Sequence, residues 1–482
     1  MQKTGLESAL YCNRTLNLRK IQAIGYDMDY TLVHYHMKAW EERTYDYIKE
    51  KLESTGWPVS TLSFDPNLVM RGLIIDTELG NVVKADRFGY VKYAFHGSRA
   101  MPLDTKKQTY SQTVVDLNDR RWVFLNTLFS ISEAGIYLQL VDLFDQGLIS
   151  PSRGYDGLYE MVKRSLDQAH MEGRLKGEIV ANPDAFVDLD SRMPRTLLDQ
   201  KEAGKRLLLI TNSEWSFASS MLSYTIDPFL PNGTTWRELF DIVIVGARKP
   251  TFFSSGTPAF EVVSEDGLLR EHVGKLETGR AYVGANAALV EESLNISGEE
   301  ILYVGDHLFA DVNVSKSVLR WRTALVIREL EDEIAAVKEF MPQQEVLSER
   351  MIRKKDMEAD YSAIRLRLQR IRNGHETVDP NERKELSRKL DKLRDRLVAL
   401  DAEIGPLAQR SGELLNPNWG LLMRTGKDKS HYARQVERYA DVYMTRVSDF
   451  LEATPFVYLR SHRGSLPHDS LDSEREVLST MD

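Results

Sequence analysis

The sequence predicts an α/β protein built on a doubly wound parallel sheet, and two patterns support this prediction. Apolar runs of four to six residues recur with helical patterns between them, which is typical of parallel strands covered by helices on both faces. Acidic, hydroxyl or lysine residues follow these runs, at the strand ends where open α/β sheets bind ligands. The runs lie at residues 21–25, 206–211, 241–245, 301–304 and 323–327.

The composition restricts the class of protein. The chain has 482 residues, enough for two or three structural units, and 42% of them are apolar. Its 63 basic residues are outnumbered by 72 acidic ones, which argues against a general nucleic-acid binder. The single cysteine, Cys12, fits a reducing compartment. Because no apolar run reaches roughly 18 residues and the N-terminus shows no apolar signal segment, we expect a cytoplasmic protein without a membrane partner.

The block between the first two core strands breaks the alternation of strands and helices. Its helical patterns and short strands lie at residues 40–52, 125–144 and 159–170, and at 82–84, 87–90 and 91–95. The sequence therefore predicts a core of residues 1–33, 185–340 and 415–465, interrupted by a mixed, mainly helical cap at residues 34–184.

Leucines at alternating spacings of four and three residues indicate a helical seam in the charged segment after the core. They are Leu386, Leu390, Leu393, Leu397 and Leu400, and the matching stripe upstream is Ile364, Leu368 and Ile371. A polar break at residues 373–382 separates the two, so we predict an antiparallel helical hairpin over residues 341–414. Its role is open between a structural arm and the contact of a homo-oligomer. A polar tail is expected at residues 466–482.

Two carboxylates mark the end of the first core strand. Asp27 and Asp29 are two residues apart, so an extended chain places them on one side, and Thr31 follows. Close carboxylates repel unless a cation lies between them, and a divalent metal is the natural partner. The same spacing also fits a bare metal site or a loop that caps a helix.

The other core strands end in residues suited to a phosphate group. Thr211, Asn212 and Ser213 close the second strand and lead into a helix, whose free N–H groups favour an anion. Lys249 follows the third strand, and the fourth ends in Asp306 with Asp311 five residues further on. Each residue alone has a structural explanation, such as a helix cap or a surface charge. Their order along the chain indicates a common site.

Taken together, these motifs resemble those of the haloacid dehalogenase-like phosphohydrolases. The resemblance implies that Asp27 attacks phosphorus and forms an aspartyl-phosphate, while Asp29 acts as the general acid and base. It implies Mg2+ as cofactor, bound by Asp27, the Asp29 backbone carbonyl and Asp306. The remaining roles it implies are phosphate binding by Thr211, Asn212, Ser213 and Lys249, and orientation of Lys249 or of a metal-bound water by Asp311.

A narrower resemblance lies in the blocks DMDYTL, LNTLFSISEA, LITNSEW, ARKPTFF and YVGDHLFADV, the last followed by WRTALVIREL. These are similar to the cytosolic purine 5'-nucleotidases that prefer IMP and GMP, over residues 22 to 330. Phe129 would then stack on the purine near Asn126, and Asp167 would accept from an N–H of the base. The entrance would be lined, or the nucleotide contacted, by Lys163, His170 and Lys176, and that family has arginine at the position of Lys163. Phe129 as core and Asp167 as a solvated helix residue are the structural alternatives.

The resulting prediction is a Mg2+-dependent 5'-nucleotidase acting on purine nucleoside monophosphates, with phosphate transfer to a second nucleoside as a further activity. Its partner is a small-molecule nucleotide rather than a nucleic acid. One alternative keeps the chemistry on another phosphomonoester, such as a sugar phosphate. Another is a non-catalytic scaffold that acts through the helical hairpin.

Overall fold

The computed structural model describes residues 10–150, 153–171, 173–231 and 233–461. The chain divides into two compact units. The first comprises Met1–His36, Lys176–Arg328 and Gln435–Asp482, and the second comprises Met37–Leu175 and Glu329–Arg434. The four-part division predicted from the sequence stays a prediction, and its polar tail lies outside the described residues.

The strands of both units are short. They are β1 (Leu10–Cys12), β2 (Leu16–Asn17), β3 (Ala23–Tyr26), β4 (His34–Tyr35), β5 (Ile74–Asp76), β6 (Asn81–Ala85), β7 (Val91–His96), β8 (Arg99–Ala100), β9 (Trp122–Phe124), β10 (Val187–Asp188), β11 (Arg206–Ile210), β12 (Ile242–Val245), β13 (Ala259–Val262), β14 (Leu269–His272), β15 (Arg280–Gly284), β16 (Ile301–Gly305), β17 (Arg322–Val326), β18 (Arg424–Thr425), β19 (Asp428–Lys429), β20 (Val442–Met444) and β21 (Tyr458–Leu459).

The α-helices range from a single turn to 43 residues. They are α1 (Met37–Ser54), α2 (Leu103–Tyr110), α3 (Ile131–Asp145), α4 (Gly154–Met171), α5 (Arg174–Ala181), α6 (Pro183–Phe186), α7 (Met193–Glu202), α8 (Trp215–Thr225), α9 (Trp236–Leu239), α10 (Ala287–Leu294), α11 (Val314–Leu319), α12 (Leu330–Arg372), α13 (Pro380–Gly412) and α14 (His431–Tyr439). None of those in the described ranges is both long and apolar enough to cross a membrane.

The first unit contains a ten-stranded sheet in the order β1-β20-β17-β16-β3-β11-β12-β15-β13-β14. Its central strands, from β20 to β15, are parallel, while β1 at one edge and the β13–β14 hairpin at the other are antiparallel. This arrangement confirms the predicted doubly wound α/β core.

The chain reverses its direction of travel across the sheet at β3. From β3 it proceeds through β11 to β12 on one side and then returns to β16 and β17 on the other. Such a reversal leaves a crevice at the carboxyl ends of the strands, which is the usual place of a ligand in open α/β sheets. The fold therefore brings the ends of β3, β11, β12 and β16 together.

An apolar layer on the sheet holds these strand ends in place. Its largest members, Tyr303 and Trp321, lie against Phe253 with ring centroids 5.3 and 5.7 Å away, and all three are buried. The aromatic contacts add to the burial of large apolar surfaces. Since Tyr303 belongs to β16, this packing fixes the strand that Asp306 directly follows.

The list of core strands predicted from the sequence was incomplete. β15 adds a parallel strand next to β12, and β20 adds one next to β17. The β15 sequence, RAYVG, is too short and too polar at its start to be recognised as a buried run.

The second unit contains a five-stranded antiparallel sheet in the order β8-β7-β6-β5-β9, together with α1, α3 and α4. The prediction of a strand at residues 87–90 was wrong, because these residues form the turn between β6 and β7. Helices α12 and α13 pack against each other as the predicted hairpin. The seam buries Leu393 and Leu400, and Leu400 joins Leu347 and Ile404 in one apolar cluster.

Candidate active site

Asp27 lies immediately after β3, the strand at which the path of the chain across the sheet reverses. Its backbone N–H donates to the carbonyl of Val304 on the neighbouring strand, so the sheet fixes the position of the residue. The Met28 N–H donates to Asp27 Oδ1 at 2.7 Å. The carboxylate is buried and therefore depends on protein groups, rather than on water, to balance its charge.

Lys249 supplies a positive charge to this carboxylate. Its Nζ lies 2.8 Å from Asp27 Oδ1 and 2.8 Å from Asp311 Oδ1, and it donates to the hydroxyl of Tyr303 at 3.0 Å. Tyr303 in turn donates to the carbonyl of Ile210. Burial alone would lower the pKa of Lys249, but the two carboxylates outweigh it and raise the pKa well above its ordinary value. The lysine is thus held as a cation.

Asn212 holds the backbone of Lys249. Its Oδ1 accepts from the Lys249 N–H at 2.6 Å, and its Nδ2 donates to the Lys249 carbonyl at 3.1 Å. Thr211 is fully buried next to it, and its Oγ1 accepts from the N–H of Ser213. The end of β11 therefore positions the lysine that follows β12.

Asp306 and Asp311 complete an acidic cluster with Asp27. One carboxylate oxygen from each lies within 4.8 Å of the others, and all three residues are buried. Asp311 stands on a π-helix, Leu308–Asn313, and its Oδ2 accepts from the His307 N–H. A Cβ atom on Gly305 would come within 2.5 Å of that oxygen, so only glycine allows Asp311 to approach the strand end.

The carboxylates of the cluster act on one another electrostatically, which favours a bound cation. Burial raises the pKa of Asp27, and Asp311 and Asp306 raise it further, against the opposing effect of Lys249. The carboxylates of Asp27, Asp306 and Asp311 lie close together, and like charges at this distance repel unless a cation lies between them. Oxygen ligands at this separation suit a hard divalent cation. The residues present therefore fit a divalent metal.

Asp29 points to a different set of partners. Its Oδ1 accepts from the hydroxyl of Tyr35 at 2.6 Å, and its Oδ2 accepts from Ser213 Oγ at 2.5 Å. Lys176 Nζ donates to the same Ser213 hydroxyl at 3.2 Å. Each oxygen of the Asp29 carboxylate is thus oriented by a hydroxyl donor.

The other predicted substrate residues belong to the second unit. Phe129 meets Trp40 edge-on, with 5.5 Å between ring centroids, and the Asn126 amide donates to the Phe124 carbonyl. Lys163 and Asp167 are exposed on α4. Both act electrostatically on Glu133, which lies on α3 and also accepts from the Tyr159 hydroxyl. His170 is on α4 as well, but its side chain lies outside the description.

Glu41 fixes the start of α3 next to Phe129, and it provides a stability prediction. Its Oε2 accepts from the Ser132 N–H at 2.8 Å, and burial raises its pKa to about 8 from an ordinary 4.5. As the pH rises from 4.5 through 8, the unfolded chain loses this proton first, so stability falls, by up to about 1.4 kcal/mol per pH unit. The Tm of the wild type should therefore fall between pH 6 and pH 9, and we expect this fall to be several degrees smaller in Glu41→Gln.

A pH series of thermal melts measures this effect. Glu42→Gln, the same change at the exposed neighbouring position, is the control and should follow the wild type. Parallel Tm curves for Glu41→Gln and the wild type would show that Glu41 is ionised in the folded protein.

Two residues of this cluster were missed by sequence reasoning. Tyr303 was counted only as part of an apolar strand, although its hydroxyl bonds to Lys249. Tyr35 lies beyond the acidic motif and was not among the predicted site residues, although it donates to Asp29. A tyrosine within or just beyond a motif strand is the available signal, because a buried hydroxyl requires a partner.

Buried carboxylates and a lysine at the switch point of a doubly wound sheet are the features expected of a phosphohydrolase with an α/β core. The model of the 5' nucleotidase family matches residues 10–471, and the chain belongs to this family. It is thus a hydrolase of the 5'-nucleotidase type.

Similar proteins are found among both curated sequences and solved structures. A 5'-nucleotidase domain-containing protein of Dictyostelium discoideum is 25% identical over 478 residues, which cover 95% of this chain and 74% of that protein. An archaeal beta-phosphoglucomutase from a hyperthermophilic Pyrococcus aligns with 64% of this chain and 87% of its own, at 13% identity and a TM-score of 0.30. A haloacid dehalogenase-like hydrolase from Xanthomonas campestris aligns with 64% of this chain and 82% of its own, at 12% identity and a TM-score of 0.25. Both structural likenesses are too slight to bear on the substrate.

Proposed function

We propose that this chain is a Mg2+-dependent 5'-nucleotidase that hydrolyses purine nucleoside 5'-monophosphates, with IMP and GMP preferred, through an aspartyl-phosphate. The observation that carries the proposal is the buried contact of Lys249 with Asp27 and Asp311 at the strand ends. A charged lysine beside a buried carboxylate at a switch point suits the handling of a phosphoryl group.

In the first step a carboxylate oxygen of Asp27 attacks phosphorus. A bond forms between that oxygen and phosphorus, and the bond from phosphorus to the nucleoside O5' breaks. Asp29 gives its proton to O5', so the nucleoside leaves as a neutral alcohol. Lys249 stabilises the negative charge on the transferring oxygens.

In the second step Asp29, now a carboxylate, takes a proton from water. The water oxygen bonds to phosphorus, the bond between phosphorus and Asp27 breaks, and inorganic phosphate leaves. A nucleoside hydroxyl in place of water yields a new nucleotide, which is the proposed phosphotransferase activity.

The groups that would hold Mg2+ are the carboxylates of Asp27 and Asp306 and the backbone carbonyl of Asp29. When bound, the ion would supply charge neutralisation at the phosphate oxygens. Asp311 keeps Lys249 in place through a second ion pair beside that with Asp27. Thr211, Asn212 and Ser213 border the phosphate site at the end of β11.

The purine preference rests on residues of the second unit. Phe129 is an aromatic suited to stacking on a base, and Asp167 is an acceptor suited to the N1–H of a 6-oxopurine. Lys163, His170 and Asn126 belong to the same unit, and Lys176 opens the next segment of the chain. We assign substrate selection to the residues of the second unit and the chemistry to the first unit, in a cytoplasmic enzyme.

Phosphate release tests this proposal. The purified full chain is assayed with Mg2+ on IMP, GMP, AMP, UMP, glucose 6-phosphate and p-nitrophenyl phosphate. We expect the 6-oxopurine monophosphates to give the highest kcat/KM. Phe129→Leu should lower kcat/KM for IMP by about tenfold or more, a loss typical of a stacking contact, and should leave p-nitrophenyl phosphate nearly unchanged.

The outcomes separate the parts of the proposal. If glucose 6-phosphate leads the panel, the phosphatase chemistry stands and the purine assignment falls. If EDTA followed by dialysis leaves the rate unchanged, the metal requirement falls. If no substrate releases phosphate, the chain acts as a scaffold and the hydrolase proposal falls.

A further inference from the structure

The Asp29 carboxylate is held by residues from the two places where the chain passes between its units. Tyr35 is the residue before His36, where the first segment of the first unit ends. Lys176 is the residue at which the chain re-enters that unit. Tyr35 donates to one oxygen of Asp29, and Lys176 reaches the other oxygen through Ser213.

The hydrogen bond from Tyr35, where the chain leaves the first unit, is supported by strand pairing and ring packing. Tyr35 belongs to β4, which pairs antiparallel with β10 so that Tyr35 lies opposite Val187. The His36 N–H donates to the carbonyl of Phe186 at 2.7 Å. Tyr35 is buried, and its ring meets that of Tyr30 edge-on at 5.3 Å. A change in the β4–β10 pairing therefore moves the hydroxyl that orients Asp29.

The contact on the returning side is a chain of two hydrogen bonds. Lys176 donates to Ser213 Oγ at 3.2 Å, and Ser213 donates to Asp29 at 2.5 Å. Donation by a cation polarises the hydroxyl and strengthens its own hydrogen bond. Lys176 Nζ also lies 4.9 Å from the ring centre of Phe217 on α8, which limits its freedom.

We propose that Tyr35 and Lys176 are positioning residues that align Asp29 for proton transfer, so that both chain crossings must be in place before the general acid works. This inference rests on the proposed function, in which Asp29 protonates the leaving O5'. Tyr35 acts directly on the carboxylate, and Lys176 acts through Ser213. Neither residue exchanges a proton with the substrate.

The choice of leaving group makes the inference testable. A nucleoside alkoxide requires a proton to leave, whereas p-nitrophenolate leaves without one. We expect Tyr35→Phe to lower kcat for IMP by about 10- to 100-fold with little change in KM, less than the roughly 10^2- to 10^4-fold contribution of general acid catalysis, because Asp29 itself remains. Release of p-nitrophenol in the first turnover should keep its wild-type rate, followed by a slow steady state, because Asp29 must still activate water.

Rapid-quench kinetics on the full chain with Mg2+ measures both substrates. Tyr26→Phe is the matched control, since it removes a buried tyrosine hydroxyl at the end of β3 that donates to Gln200 on α7 and not to Asp29. It should retain the wild-type kcat for IMP. Lys176→Met, at a half-buried position, should lower kcat for IMP by a smaller factor and again leave the first turnover of p-nitrophenyl phosphate unchanged. This second variant tests the inference even if Tyr35→Phe folds poorly.

Three outcomes would overturn the inference. Equal losses on both substrates in the first turnover of Tyr35→Phe would indicate general damage to the site. An unchanged kcat for IMP would show that Asp29 needs no such alignment. A rise in KM alone for Lys176→Met would make Lys176 a direct substrate contact. An inactive wild type would instead refute the proposed function itself.

Discussion

The Asp27→Asn variant is expected to hydrolyse nucleoside monophosphates at least about 10^4-fold more slowly than the wild type, which is the scale of losing a nucleophile. An amide cannot attack phosphorus as an anion, and the covalent intermediate cannot form. Folding should be retained, because Lys249 keeps Asp311 as a partner and the cluster loses one of its buried negative charges. We therefore expect a Tm equal to or above that of the wild type.

Steady-state kinetics with IMP, acid-quench trapping of labelled phosphoenzyme and a thermal melt measure these effects. Asp46→Asn, the same chemical change on the half-buried side of α1, is the control and should keep full activity. A phosphoenzyme that still forms in Asp27→Asn would place the nucleophile elsewhere.

Lys249→Met is expected to lose both activity and stability. Methionine fills the volume of the lysine stem but removes the ammonium group that contacts the buried carboxylates of Asp27 and Asp311. Removing one partner of a buried ion pair costs about 3–5 kcal/mol, because the charge that remains is uncompensated. The kcat for IMP should fall by about 10^3-fold, since the oxygens of the moving phosphoryl group lose a positive charge.

A second substitution separates the two losses. In the double variant Lys249→Met with Asp311→Asn, one buried negative charge is removed together with the positive one, and we expect more than half of the lost stability to return. Activity should stay at the level of Lys249→Met, because the phosphoryl group still lacks its cation. Denaturant unfolding and kinetics on all four forms complete a double-mutant cycle. Additive stability changes would show that Lys249 and Asp311 do not interact.

The strands that carry the site could be predicted from the sequence because they are continuous apolar runs at the centre of the sheet. β3, β11, β12 and β16 are almost entirely buried, and burial on both faces is what an unbroken apolar run indicates. β13 and β14 were missed because they form the sheet edge, where several side chains are exposed and the pattern is mixed.

The sequence was sufficient to place the acidic residues and the lysine at one edge of the sheet. It was not sufficient to predict which of these side chains contact each other. The two hydrogen bonds between the Asn212 side chain and the Lys249 backbone form because β11 and β12 are neighbours in the sheet. The bond from Tyr35 to Asp29 depends on a turn in which Tyr30 takes a positive φ of 53°. Such contacts follow from three-dimensional register and not from spacing along the chain.

The segmented build of the first unit has a consequence for synthesis on the ribosome. β3 is made before both of its neighbours in the sheet, β11 and β16, which come after the whole 37–175 segment of the second unit. An apolar strand without partners is prone to aggregate while it waits, and pairing across such distances slows folding. Asp27 meets Asp311 only when more than 300 residues have been translated, so the nascent chain acquires its catalytic cluster late and benefits from chaperones until then.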